Sequence, residues 1–158
     1  MFKQDLKIGQ RMELQIAIIF LQNECTVKCG GLDFRLDLTV QIPGGFTERV
    51  EVKDESNFSA SGNIVLETRQ GRKPKPSGLM ISESSVVIHV LGDKAILYRT
   101  QPMRLWLRKM LKSKKYVMKS FGKSDNYTAG VILPIKDVNE NWFDIISLDD
   151  ITTSKVFK

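Results

Sequence analysis

The stretch Arg49-Val50-Glu51-Val52-Lys53 concentrates the residue types most able to do chemistry. Val50 and Val52 alternate with Glu51 and Lys53, the period of a strand with one apolar and one polar face. Glu51 and Lys53 therefore point the same way, roughly 7 Å apart along the strand. Taken alone, such a pair reads as a surface ion pair worth about 0–1 kcal/mol. Its neighbours argue for more. Asp37 lies fourteen residues upstream, alternating with Leu36, Leu38 and Val40 in a second strand-like run, Phe34 to Val40. Ile42-Pro43-Gly44-Gly45-Phe46 between the runs is a turn signal, so the pair reads as an antiparallel hairpin that brings Asp37 beside Glu51. Asp33 shares the parity of Asp37 and is its rival, while the apolar flanks of Asp37 and its spacing to Glu51 favour Asp37. Further upstream, Glu13 sits in a helical stretch with Gly9 and Ala17 one turn to either side, small residues that permit close approach of a neighbour.

Three acids and one lysine are the equipment for magnesium-dependent cleavage of a phosphodiester. Mg²⁺ takes one or two protein carboxylates and fills its other positions with water and phosphate oxygens. The ion acidifies and orients a water for in-line attack and neutralises charge on the phosphate. A lysine beside it can hold that water or stabilise the transition state.

The elements that must position these residues follow from periodicity. Asp5 to Leu21 reads as a first helix, capped by Asp5, with Met12, Ile16, Ile19 and Phe20 on one face. Asn63 to Thr68 alternates as a strand and carries Glu67, a candidate for support of the site. Val86 to Leu91 is a nearly continuous apolar run, expected as a buried central strand with His89 in a structural role. Ala95 to Arg99 is the next strand, and Pro102 suits the first turn of a helix to about Lys112. Ala129 to Ile135 is a short apolar segment. Asp137 to Asp150 carries five acids and no base, and its Trp142, Phe143, Ile145 and Ile146 could pack on the core or on a second subunit.

At this point the sequence resembles the PD-(D/E)xK nucleases: Glu13 in a first helix, then Asp37 and Glu51-Val52-Lys53 on successive strands. Within that superfamily it most resembles the Holliday-junction resolvases of archaea and phages. The opening Phe2-Lys3-Gln4-Asp5-Leu6-Lys7-Ile8-Gly9 resembles small phage-encoded members, as does Ser61-Gly62-Asn63-Ile64-Val65-Leu66-Glu67 followed by Pro76-Ser77-Gly78-Leu79. The likeness covers roughly residues 2–112. It departs in one place, where Arg35-Leu36 stand before Asp37 and the proline of the family name is absent. The resemblance implies a restriction-endonuclease-like α/β fold, a mixed central sheet of about five strands flanked by helices. It also implies a Mg²⁺-dependent resolvase, Mn²⁺ being a substitute, with Asp37 and Glu51 as metal ligands, Glu13 completing or supporting the site and Lys53 acting on the water or phosphorus. Two opposed cuts in a four-way junction by a chain with one site imply a homodimer, working in the cytoplasm of the host cell if phage-encoded. Another nuclease of the same fold (nicking, restriction-like or DNA-degrading), a non-catalytic DNA-binding protein and an RNA-acting enzyme are the rivals.

Charge distribution supports a polyanionic partner independently. The net charge is +6, but residues 69–123 hold 14 Lys/Arg against only Glu83 and Asp93, a local balance of +12. Neutralised phosphates release counterions, so such segregation is a nucleic-acid footprint. Arg69, Arg72, Lys73 and Lys75 form a basic loop suited to phosphate contact, and Arg104, Arg108 and Lys112 recur every four residues on the second helix. Like charges at that spacing repel without an anionic partner. With 158 residues, 42% hydrophobic and 27% charged, the chain fits one soluble globular domain, residues 137–158 forming an acidic C-terminal segment. No apolar run reaches the ~18 residues of a membrane span. Cys25, Cys29 and His89 cannot complete a zinc site alone, and the two cysteines read as reduced structural thiols.

Overall fold

The computed structural model describes residues 2–30, 37–55, 62–71, 75–121 and 127–157, the first helical turns (2–9) by backbone alone. Asp33, Arg72 and Lys73 lie outside the described residues, as does the packing at Gly9. In chain order the elements are α1 (Phe2–Gln22), β1 (Thr26–Cys29), β2 (Leu38–Gln41), β3 (Thr47–Asp54), β4 (Asn63–Gln70), β5 (Lys75–Pro76), β6 (Val86–Leu91), β7 (Lys94–Arg99), α2 (Thr100–Lys112), β8 (Lys119–Phe121), β9 (Thr128–Pro134), β10 (Phe143–Ser147) and α3 (Thr153–Val156). The first helix starts at Phe2, so Asp5 lies within it and does not cap it.

Six strands form one sheet in the order β1-β2-β3-β6-β7-β10, and four form a second, β5-β4-β9-β8. The first sheet is mixed: β3 and β6 run parallel, with Glu51 opposite Val87 and Lys53 opposite His89, while its other pairs are antiparallel. The expected mixed α/β class is therefore present, with more strands than expected. β4 does not join the main sheet. It pairs with β9, Ile64 opposite Leu133 and Leu66 opposite Val131, so the short apolar segment near residue 130 is a strand. Alternation in β4 announces a half-buried strand but not which partner covers it.

The main sheet is apolar on both faces, and each face has its own core. On one, Val50, Val52, Val86, Ile88, Val90, Ala95 and Leu97 meet Ile16, Ala17 and Phe20 of α1 and Leu148, Ile151, Val156 and Phe157 from the C-terminal segment. The Phe20 and Phe157 rings stack there with centroids 5.5 Å apart. On the other, Val87, Ile96 and Tyr98 meet Ile64, Leu66, Val131 and Leu133 of the second sheet and Met103 and Leu107 of α2. Each fully buried aliphatic contributes about 1.5–3 kcal/mol, and β6, buried on both sides, is the spine of the arrangement. Of the C-terminal residues, Ile146 joins the first core and Trp142 and Phe143 the second, while Ile145 faces outward. Cys25 is buried, Cys29 exposed, and both are free thiols. Among the described residues no helix is long and apolar enough to cross a membrane.

Candidate active site

The β2–β3 hairpin sets the register of the site. Leu38 pairs with Val50 and Thr39 with Arg49. The turn closes through the Gly45 N–H to the Ile42 carbonyl at 3.0 Å, with Gly44 at φ +63°. Asp37, one residue before Leu38, therefore lies level with Glu51. Its N–H donates to the Val50 carbonyl at 3.2 Å, and its Oδ2 accepts the Val52 N–H at 2.6 Å. That carboxylate is anchored to the backbone of the strand that carries the other half of the motif.

The polar face of β3 is not a solvated face. Glu51 is only 6% exposed and looks into a cleft between the two sheets. Lys53 Nζ stands 2.6 Å from Glu51 Oε1, with 47% of the lysine side chain in contact with solvent. A half-exposed lysine side chain thus places its ammonium on a buried carboxylate. The other carboxylate oxygen, Glu51 Oε2, accepts a hydrogen bond from Ser82 Oγ.

Ser82 belongs to a shelf, residues 77–84, that leads into β6. At its start Ser77 Oγ donates to Glu67 Oε1 at 2.6 Å. Gly78 follows at φ +50°, and a Cβ there would stand 2.7 Å from the Glu67 carbonyl oxygen, so the shelf can lie against β4 only with glycine at this position. Arg104 fastens the shelf from α2: its Nε donates to the Leu79 carbonyl at 2.6 Å and its Nη2 to the Ser82 carbonyl. Arg104, expected in a basic stripe with Arg108 and Lys112, is engaged with the shelf through these bonds. Its guanidinium is turned inward on two backbone carbonyls, while Arg108 and Lys112 remain exposed on α2. Arg69 and Lys75 are also exposed, on the neighbouring strands β4 and β5.

Electrostatics tie the cluster together. Burial raises the Asp37 pKa, the Val52 N–H and Lys53 pull it down, and Glu51 adds to the rise; the net is upward. Glu13 is raised by burial and by Asp37, with Lys53 opposing, so α1 brings it within range of both. For Lys53, burial works downward, but Glu51, with Asp37 and Glu67, outweighs it and raises the pKa. Lys53 is therefore cationic at neutral pH and serves as a hydrogen-bond donor, not as a proton acceptor. The five residues singled out from sequence, Glu13, Asp37, Glu51, Lys53 and Glu67, interact as one group.

Deeper in the cleft lies a network that sequence reasoning found only in part. His89 is 2% exposed, with Nδ1 3.1 Å from Glu55 Oε1 and Nε2 2.9 Å from Tyr98 Oη. A carboxylate only accepts, so the consistent assignment has Nδ1–H donating to Glu55 and Nε2 accepting from the Tyr98 hydroxyl. Burial, then Glu51 and Glu55, push the Tyr98 phenol well above its usual pKa, which keeps it a donor. Ser82, Ser77, Glu55 and Tyr98 carry no local signal of these roles, because each depends on where a distant segment lands.

Among the described residues no three His, Cys, Asp or Glu side chains form a ready-made metal cage. Asp37, just before β2, and Glu51 on the adjacent β3 are two hard oxygen donors, which suits an ion that takes one or two protein carboxylates and water for the rest. No family model, curated protein or solved structure matches this chain.

Proposed function

We propose that this chain is a Mg²⁺-dependent endonuclease of the restriction-endonuclease-like, PD-(D/E)xK type, acting on branched DNA as a Holliday-junction resolvase. One observation carries the reading. Residues picked out by motif order lie together: Asp37 is bound to the strand of Glu51, Lys53 covers Glu51 at 2.6 Å, and Glu13 on α1 is close enough to feel Asp37 and Lys53. Asp37 and Glu51 would hold the ion, with Glu13 completing or supporting the site. Three carboxylates against one ammonium leave the raised Asp37 and Glu13 short of countercharge, the electrostatic setting that a divalent cation relieves. When bound, Mg²⁺ or Mn²⁺ supplies Lewis-acid polarisation of the phosphoryl oxygen and acidifies a water.

The chain's own groups do the remainder. Lys53 donates to the phosphate oxygen on which charge develops, and Ser82 and Arg104 fix the Glu51 carboxylate. Exposed Arg69, Lys75, Arg108 and Lys112 provide backbone contacts, which position DNA without reading its sequence. A homodimer is supported by Leu14, Ile18 and Leu21, which lie along α1 at helical spacing, each more than half exposed.

The test is an end-labelled four-way junction beside the matching linear duplex, with Mg²⁺ or EDTA, against Glu51→Ala and Lys53→Ala. Paired symmetric nicks in the junction alone, lost with EDTA and in both variants, are the expected result. Cleavage of both substrates would move the function to a general nuclease of the same site. Junction binding with no cleavage under Mg²⁺ or Mn²⁺ would leave a DNA-binding protein.

A further inference from the structure

The cleft between the two sheets that Glu51 and Lys53 themselves line is a cavity of about 490 Å³, partly open to solvent. That volume lies within the about 300–1,000 Å³ usual for sites that enclose a small molecule. It is far larger than a phosphate group needs. Part of its wall is apolar, with Val65, Leu79, Val87 and Phe121, and the rest is polar. The floor is the bonded set Glu55, His89 and Tyr98.

From this cavity we infer the feature of branched DNA that the site recognises: a single unstacked nucleobase, extruded at the branch point and inserted between the sheets. The inference rests on the nuclease reading above and deepens it. Charge decides which part of a nucleotide enters. Glu51, Glu55 and Glu67 all line the cavity, so its interior repels phosphate, whereas Lys53 at the mouth attracts it. The anionic backbone stays outside at the ammonium while the uncharged base goes in. These carboxylates each hold an internal partner: Lys53 and Ser82 on Glu51, His89 on Glu55, Ser77 on Glu67. They are thus fixed acceptors for base amino and imino N–H groups, and the apolar part of the wall covers the ring faces. Bases at a branch point are less constrained by stacking than those within a duplex, so extrusion is least costly there. Selectivity for structure over sequence follows, because a cavity with several acceptors and no shaped slot takes any base.

The experiment places 2-aminopurine, whose fluorescence rises on unstacking, at each position flanking the branch point of a four-way junction, and reads binding in EDTA. A rise at one position in wild-type protein is expected, with none for the probe inside a linear duplex. Val65→Phe, which fills the cavity from β4, should abolish that rise and slow junction cleavage about tenfold while binding by gel shift is retained. Thr128→Phe fills the same cavity from β9 and should do the same, which guards against misfolding of either variant. No rise at any position while the junction is cut would overturn the base pocket and leave the nuclease standing. A rise that persists in both filled variants would also overturn it. A rise without any Mg²⁺-dependent cleavage would keep the pocket and remove the nuclease.

Discussion

Two faces of the same strand show how differently function and stability are written into this chain. On β3, Val50 and Val52 point into the core under α1, and Glu51 between them points into the cleft, all three buried. The apolar side is covered by a helix and by a C-terminal segment about a hundred residues away in sequence. The polar side is covered by a second sheet and a serine shelf whose main task is to occupy carboxylate oxygens. A buried carboxylate without partners would be costly. Glu51 is tolerated because Lys53 and Ser82 engage both its oxygens, so the polar face is held as a bonded unit.

Substitution on either face should separate the two roles. Lys53→Ala is expected to reduce metal-dependent cleavage about 10³-fold, ~4 kcal/mol of transition-state stabilisation, under conditions where the variant is folded. It should lower the melting temperature as well, because buried Glu51 loses its cationic partner. Ile88→Ala on β6, buried on the α1 face, is expected to lower stability alone. A cavity there should cost about 2–5 kcal/mol in urea denaturation, while cleavage by the folded fraction is unaffected. Equal loss of activity from both, at conditions where each is folded, would mean that the two faces do not divide the work this way.

The same contrast explains what the sequence disclosed. Strand β3, the hairpin turn and the apolar run of β6 are local patterns, and periods of two identify them without tertiary knowledge. The neighbour of Asp37 was legible for the same reason, since a turn of known length sets the register. The second sheet was not, because β4 finds its partner β9 some sixty residues on, beyond any local pattern. Nor were the bonds of Arg104, which stands in step with Arg108 and Lys112 along the helix yet donates to two backbone carbonyls of the shelf. Spacing identified a stripe; only the packing of α2 against the shelf decides which member leaves it. Ser82 lies among Ser84 and Ser85 with nothing in its own segment to distinguish it.

That shelf gives a smaller test of the polar face. Arg104→Ala should release the Ser82 carbonyl and loosen the Ser82–Glu51 hydrogen bond, lowering kcat about tenfold with KM for junction DNA unchanged. Lys cannot span both carbonyls as the guanidinium fork does, so Arg104→Lys should rescue little. If Arg104 were instead a phosphate contact, both variants would raise KM, and the loss would deepen with salt.

The smallest effect concerns stability, and its sign is the informative part. Asp37→Asn keeps an acceptor for the Val52 N–H and removes a charge held in a buried place beside Glu51. Because the folded pKa of Asp37 lies above its ordinary value of 3.8, the native state binds this proton more tightly than the unfolded chain. Stability from this group is therefore greatest below pH 3.8 and falls as pH rises through the folded pKa, so at pH 7 wild type bears the whole cost. The asparagine variant should be more stable at pH 7 in urea denaturation, with the advantage shrinking as pH is lowered into the carboxylate range. Added Mg²⁺ should invert the order. At about 100 times its Kd the ion would contribute ~2.7 kcal/mol to wild type and far less to the variant, which has lost a ligand. A variant more stable than wild type without the ion and less stable with it would identify Asp37 as a residue whose unfavourable charge is maintained for the cation. If Asp37→Asn were destabilising at every pH and indifferent to Mg²⁺, its carboxylate would be a structural brace between β2 and β3 and nothing more.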